Sequence, residues 1–184
     1  KIRIDANNCW EHVQEAIKDL ADWDVSRVSQ HDIWAIEEPL VSLRYEDLLE
    51  FSTLLDCQVI LDEAVCNVDQ LRPFLQHPDR FLLNLRVSKC GGLLQASEMA
   101  AACMDAGVGV IVGAQVGETS VLTRAALSIA EMLGEHCVAH EGAYGTYLLS
   151  EDMTRPTLMF GPKGQLHIAS LGFKDGFGLV LKQS

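Results

Sequence analysis

Trp34-Ala35-Ile36-Glu37-Glu38-Pro39-Leu40 is an apolar run that stops at two adjacent carboxylates and a proline. A strand buried on both faces of a parallel sheet reads as such a continuous run. An acid at its last position then marks the carboxyl edge of the sheet, where α/β folds place their chemistry. The pattern returns downstream as Val59-Ile60-Leu61-Asp62-Glu63-Ala64 and is anticipated upstream by Ile2-Arg3-Ile4-Asp5-Ala6-Asn7. Three strands ending in acid can meet at one cation.

Between these strands the apolar spacing turns helical. Trp10, Val13, Ala16, Ile17 and Leu20 define one buried stripe, which predicts a helix over 10–20. The next strand spans 32–36, a second helix spans 45–55 with Leu48, Leu49 and Phe51 inward, and the third strand spans 59–61. Asn67 with Gln70 suggests a capping box for a helix to about Gln76. Strand 81–86 follows. Gly91-Gly92 opens an alanine-rich helix that stops at Gly107, and strand 108–112 comes next. Thr119 is expected to cap a helix reaching Leu133, and 136–140 is the last strand.

Strand ends thus recur about every 25 residues, the period of βα units in series. A doubly wound sheet accommodates six units, but ligands converging from three consecutive strands suit a barrel. The expected fold is therefore an α/β, TIM-type (β/α) barrel, incomplete in this chain with six of its units, third to eighth. Residues 1–160 form this partial barrel. Residues 161–184, with Gly161-Pro162-Lys163-Gly164, a short 165–168 strand and Gly172, Gly176 and Gly178, form a tail crossing back to something outside the barrel. The first strand starts almost at Lys1, so a further segment or another chain is expected to complete the barrel.

A net charge of −12 and pI near 4.8 argue against nucleic acid and anionic membrane surfaces as partners. Apolar runs such as 108–112 are far shorter than the roughly 20 residues of a bilayer-spanning helix, and 1–7 lacks a signal peptide's apolar region. A cytoplasmic protein is expected. Its six cysteines form no C-x-x-C pair and read as buried reduced thiols.

Taken together, Asp5-Ala6-Asn7 with Trp10, Ile36-Glu37-Glu38-Pro39, Asp62-Glu63, Asn84 through Gly92, and Gly117-Glu118-Thr119-Ser120 resemble the enolase superfamily. The resemblance is to its muconate-lactonizing and mandelate-racemase-like branch and covers Lys1 to about Phe160, and it implies that the 161–184 tail packs toward a lid domain that is absent from this chain. It implies one Mg²⁺ held by Asp5, Glu37 and Asp62, and proton abstraction beside a substrate carboxylate to give an enolate. Hard Mg²⁺ prefers such oxygen ligands; as separate residues, the same acids could equally cap helices or pair with lysines. Glu38 and Glu63 fall on the opposite strand face, which suggests pairing that supports the ligands.

Two features depart from the family pattern. The strand carrying a Lys-x-Lys general base would precede Lys1, and Arg86 stands where many relatives place a second lysine. Asn84 and Arg86 alternate onto one strand face, so Arg86 should enter the barrel mouth, with a rim salt bridge as its alternative. Lys89 reads as a catalytic candidate in the loop beyond, or as a surface residue, and Glu141 as a substrate-contacting or proton-donating acid. Asn7, Gln115 and His140 are substrate-binding candidates, although His140 also reads as a structural core histidine; Tyr144 and Tyr147 read as packing. Gly91-Gly92 could receive an anion or simply allow close packing.

The activity expected from the resemblance is Mg²⁺-dependent and enolate-forming on a small carboxylate, one-base lyase or cycloisomerase chemistry being favoured over a sugar-acid dehydratase or epimerase. An incomplete or inactive barrel is the other alternative. A homo-oligomer is the expected assembly.

Overall fold

The computed structural model describes residues 1–21, 32–142, 145–166, 168 and 176–183. The chain divides into two compact units, Lys1–Asn84 with Ala102–Gly109 and Leu85–Ala101 with Val110–Ser184. Chain order in the first is β1 (Ile2–Asp5), α1 (Val13–Ala21), β2 (Ile33–Glu37), α2 (Tyr45–Leu55), β3 (Gln58–Leu61), α3 (Val68–Leu71), a 3₁₀ turn (Phe74–Gln76) and β4 (Phe81–Leu85). After α4 (Leu93–Ala106) come β5 (Gly109–Val112), α5 (Ser120–Leu133), β6 (Cys137–His140), α6 (Gly145–Leu148), β7 (Thr154–Arg155) and β8 (Val180–Leu181).

Strands β1 to β6 follow one another in the sheet in chain order, with β1–β2–β3–β4 and β5–β6 paired in parallel. A two-residue turn cannot join parallel neighbours, so each connection carries a helix or helical turn. That is the βα order of a TIM-type barrel, six strands of which are present.

Burial follows the pairing. Every residue of β4 is buried, and β2 and β3 are each buried but for one residue, whereas β1 and β6 expose alternate or central positions. The core of the first unit holds Phe51, Phe81, Leu48, Ile60 and Leu61, each at most 1% exposed. Each such side chain contributes roughly 1.5–3 kcal/mol relative to exposure. In the second unit Ile111, Leu85 and Met99 are equally buried.

Several local expectations are corrected. The first helix begins at Val13, because Trp10 is held as strand: it makes a parallel bridge to Leu40, and its indole N–H donates to Asp19 at 3.1 Å. The expected 67–76 helix is one α-turn followed by a 3₁₀ turn, since Pro73 lacks the N–H and clashes with the preceding turn. Its cap is real: Asn67 Oδ1 accepts the Gln70 N–H at 3.0 Å, but Gln70 Oε1 reaches back to Cys66 N–H at 2.8 Å, one residue earlier than a capping box would.

Thr119 occupies the N-cap of α5 without a side-chain cap hydrogen bond. Gln165, Leu166 and Ile168 form no strand, because the Gln165 carbonyl is taken by Gly161 N–H at 2.7 Å in a local turn; the antiparallel pair is β7 with β8 instead. His167, Tyr144 and Gly172 lie outside the described residues. Tyr147 is 77% exposed and so lies outside the core.

All six cysteines are free, and only Cys57, Cys90 and Cys103 are buried. Burial pushes the Cys57 thiol up to about 11 and Cys103 to about 12, the behaviour of inert core thiols. Among the described residues no helix is long and apolar enough to cross a membrane.

Candidate functional site

In the first unit the three acids sit where parallel strands stop. Asp5 is the last residue of β1 and stands level with Glu37, the last of β2; Glu37 in turn is level with Ile60, so Asp62 lies just past the end of β3. The backbone stays zipped beyond the strands. Ala6 N–H donates to Glu37 C=O at 2.9 Å, Asn8 N–H to Glu38 C=O at 2.6 Å, and Glu38 N–H to Ile60 C=O at 3.1 Å. Asn7 and Asn8 take φ of 45° and 57°, a left-handed pair that short amide side chains tolerate. This turn brings Asn7 N–H onto Asp5 Oδ1 at 3.1 Å and leaves the Asn7 side chain exposed.

Glu37 and Asp62 are 4% and 6% exposed, whereas Asp5 is exposed. Glu37 Oε1 accepts from Asn84 Nδ2 at 2.7 Å, and Arg3 Nε stands 4.0 Å from its other oxygen. Glu38 Oε1 accepts Asp62 N–H at 2.6 Å and Ala64 N–H at 2.9 Å. Like charges on adjacent strand ends repel, so Glu37 turns to these nearby donors. Among the described residues no three Asp, Glu, His or Cys side chains are gathered into a metal-binding group. The donor set is nonetheless carboxylate only, the chemistry a hard dication takes, and strand register already sets Asp5 beside Glu37.

The second unit carries a separate polar group. Arg86 follows β4 directly, and its Nη1 donates to Gln115 Oε1 at 3.1 Å. Glu118, 7% exposed, accepts Gln115 N–H at 2.8 Å and the Ser88 hydroxyl at 3.5 Å. Burial raises the Glu118 carboxyl above the usual carboxylate range, outweighing those two hydrogen bonds and the charge of Arg86. A carboxyl whose pKa is raised by burial is a common feature of reactive sites.

Within Gly117-Glu118-Thr119-Ser120 nothing in the sequence assigns Glu118 a role. Its one legible signal was an acid just before a helix N-cap. Lys89 is half-buried in the turn after β4. His140 ends β6 edge-on to Phe160, with ring centroids 5.7 Å apart, and burial lowers its pKa against the opposing charge of Glu141. Glu141 N–H continues the ladder to Val112 C=O at 2.9 Å.

The family described as enolase C-terminal domain-like matches residues 1–183. The hydrophobic dipeptide epimerase of Enterococcus faecalis is 25% identical over 132 residues, 71% of this chain and 35% of that protein. The enolase of Methanocaldococcus jannaschii is 31% identical over 119 residues, 64% of this chain and 28% of that protein. A solved muconate lactonizing enzyme superposes with a TM-score of 0.76 at 22% identity, over 98% of this chain and 47% of that one.

The chain therefore spans about a third of these curated relatives' length and under half of that solved structure. The structural likeness fixes the fold as part of a TIM-type barrel. The family match extends over nearly every residue, including all three strand-end acids, and on it the chain belongs to the enolase C-terminal domain-like family, in the company of muconate lactonizing enzymes, racemases and epimerases.

Proposed function

We propose that this chain carries the metal-binding strands of a Mg²⁺-dependent, enolate-forming enzyme acting on a small carboxylate substrate. The observation behind the reading is the placement of Asp5, Glu37 and Asp62 at the carboxyl ends of three consecutive parallel strands. These residues would hold the ion. When bound, Mg²⁺ would supply Lewis-acid stabilisation for negative charge that develops on the substrate carboxylate as its α-proton leaves. Asn84, already on Glu37, would keep that carboxylate oriented.

Arg86 bears on the reaction type. A guanidinium with pKa above about 12 is a poor base, so Arg86 would bind an anionic substrate group, with Gln115 steadying the side chain. Racemisation by two bases needs a proton acceptor on each face of the α-carbon, whereas elimination or cycloisomerisation needs one. One-base chemistry is therefore the favoured reading, with Lys89 and Glu141 as further catalytic candidates and Asn7 and His140 as substrate contacts. The names of the curated relatives favour epimerisation as the second reading. The general base and the remaining barrel strands would come from a further segment or another chain.

The experiment is deuterium exchange at the substrate α-carbon in D₂O, with Mg²⁺ and the complete protein including the base-bearing strand, using a panel of candidate carboxylates. One-base chemistry predicts incorporation from one enantiomer only. Rapid incorporation into both would establish two working faces and leave epimerisation as the activity, with Lys89 as the suspected second base.

A further inference from the structure

Glu38, just past the end of β2, takes a left-handed backbone conformation, φ 40°, which a non-glycine residue adopts at a cost of about 1–3 kcal/mol. The surroundings give that conformation a use. On an ideal strand the residue after Glu37 would point to the opposite sheet face. With the chain turned at Glu38, its side chain instead runs sideways to the next strand end and is 2% exposed there. Its Oε1 accepts both Asp62 N–H, at 2.6 Å, and Ala64 N–H, at 2.9 Å.

The backbone of the same residue reaches both ways as well. Glu38 N–H donates to Ile60 C=O at 3.1 Å, and Glu38 C=O accepts Asn8 N–H at 2.6 Å. One residue thus links the chain just past β1, β2 and β3, the three strands that present Asp5, Glu37 and Asp62. Two backbone donors on a single charged acceptor make a strong, directional brace.

We infer that Glu38 is a positioning residue for the metal site, fixing the backbone on which Asp62 is presented. This rests on the proposed role of Asp62 as a ligand. The brace acts through Oε1, which is committed to Asp62 and Ala64, so this role asks for no contact with the ion. Reach should matter more than charge: a glutamine keeps an acceptor oxygen at the same distance along the side chain, whereas an aspartate keeps the charge and falls short by one methylene.

The test compares the full chain with Glu38→Gln, Glu38→Asp and Glu38→Ala, using Mn²⁺ as the probe by EPR and amide exchange of Asp62 and Ala64 by NMR. Groups that orient metal ligands typically cost about 10- to 100-fold in affinity when removed. Glu38→Ala and Glu38→Asp are expected to weaken Mn²⁺ binding by that order and to speed exchange at both amides, while Glu38→Gln restores most of both. If the alanine variant fails to fold, the Asp and Gln pair still decides the matter.

Wild-type Mn²⁺ affinity in a folded Glu38→Ala or Glu38→Asp variant would overturn the inference. So would equal losses in Glu38→Asp and Glu38→Gln. Absence of Mn²⁺ binding by the wild type would overturn the metal reading itself, an outcome set apart because the amide exchange still shows whether the brace exists.

Discussion

Replacing Asp152 with alanine is expected to destabilise the protein by about 3–5 kcal/mol, because buried donors left without an acceptor cost about 1–3 kcal/mol each. The Asp152 carboxylate is 4% exposed and accepts four hydrogen bonds: Ser120 N–H at 2.9 Å, Ser120 hydroxyl at 2.7 Å, Thr154 N–H at 3.0 Å and Thr154 hydroxyl at 3.1 Å. At about 1.5–3 kcal/mol for each bond to a charged group, independent losses would reach about 6–12 kcal/mol. They are not independent, since donors come in pairs from two residues. The Thr154 hydroxyl also lies 3.2 Å from Pro156 C=O, an alternative acceptor.

The other three donors, Ser120 N–H, the Ser120 hydroxyl and Thr154 N–H, lose their acceptor, and Ser120 N–H stands at the first turn of α5, where a negative charge also favours the helix dipole. Burial raises the Asp152 pKa, but the Ser120 and Thr154 hydrogen bonds outweigh it and hold the carboxyl below its ordinary value. A depressed folded pKa gives stability that is present above the unfolded value, about 3.9, and lost as pH falls through the folded one. Urea unfolding of wild type, Asp152→Ala and Asp152→Asn from about pH 7 downward reads this directly. The gap between wild type and Asp152→Ala should narrow below about pH 4. A loss under about 0.5 kcal/mol at neutral pH, the scale of an ordinary surface substitution, would refute the reasoning.

Gly145→Ala should cost about 1–3 kcal/mol by overpacking, because its Cβ would stand 2.5 Å from Glu118 C=O and 2.9 Å from Met159 Sδ; an unchanged thermal midpoint would count against the described turn. His140 should titrate below the ordinary histidine value of about 6.5, so neutral His140 lends stability that falls as pH drops through that range; an NMR titration at or above 6.5 would contradict the described burial. Native thiol labelling should reach exposed Cys9 and spare Cys57 and Cys103, pushed up to about 11 and about 12; early labelling of Cys103 would place it outside the core.

The strands were legible where physics makes them so. β2, β3 and β4 are buried on both faces, which leaves runs that are almost wholly apolar, and the acids at the ends of β2 and β3 break those runs abruptly. The tail was not legible, because β7 and β8 have two residues each, too few to show a period. Thr119 looked like a cap by type, but the acceptor that serves α5 comes from Asp152, 32 residues away from Ser120. Pairing for Glu38 could be expected from alternation alone. Its actual partners could not, since they depend on a left-handed turn that no residue type at that position announces. Glu118 was hidden for a related reason: its raised pKa arises from burial, which outweighs the lowering effect of Gln115, Ser88 and Arg86 and is set by the tertiary fold.

The central claim is that Asp5, Glu37 and Asp62 bind one divalent cation. The direct measurement is Mg²⁺ titration by calorimetry of the wild type beside Asp62→Asn and Glu37→Gln, with circular dichroism to confirm that each variant is folded. The account predicts a single site per chain in the wild type and markedly weaker binding in both folded variants. Unchanged Mg²⁺ affinity in either one would contradict it.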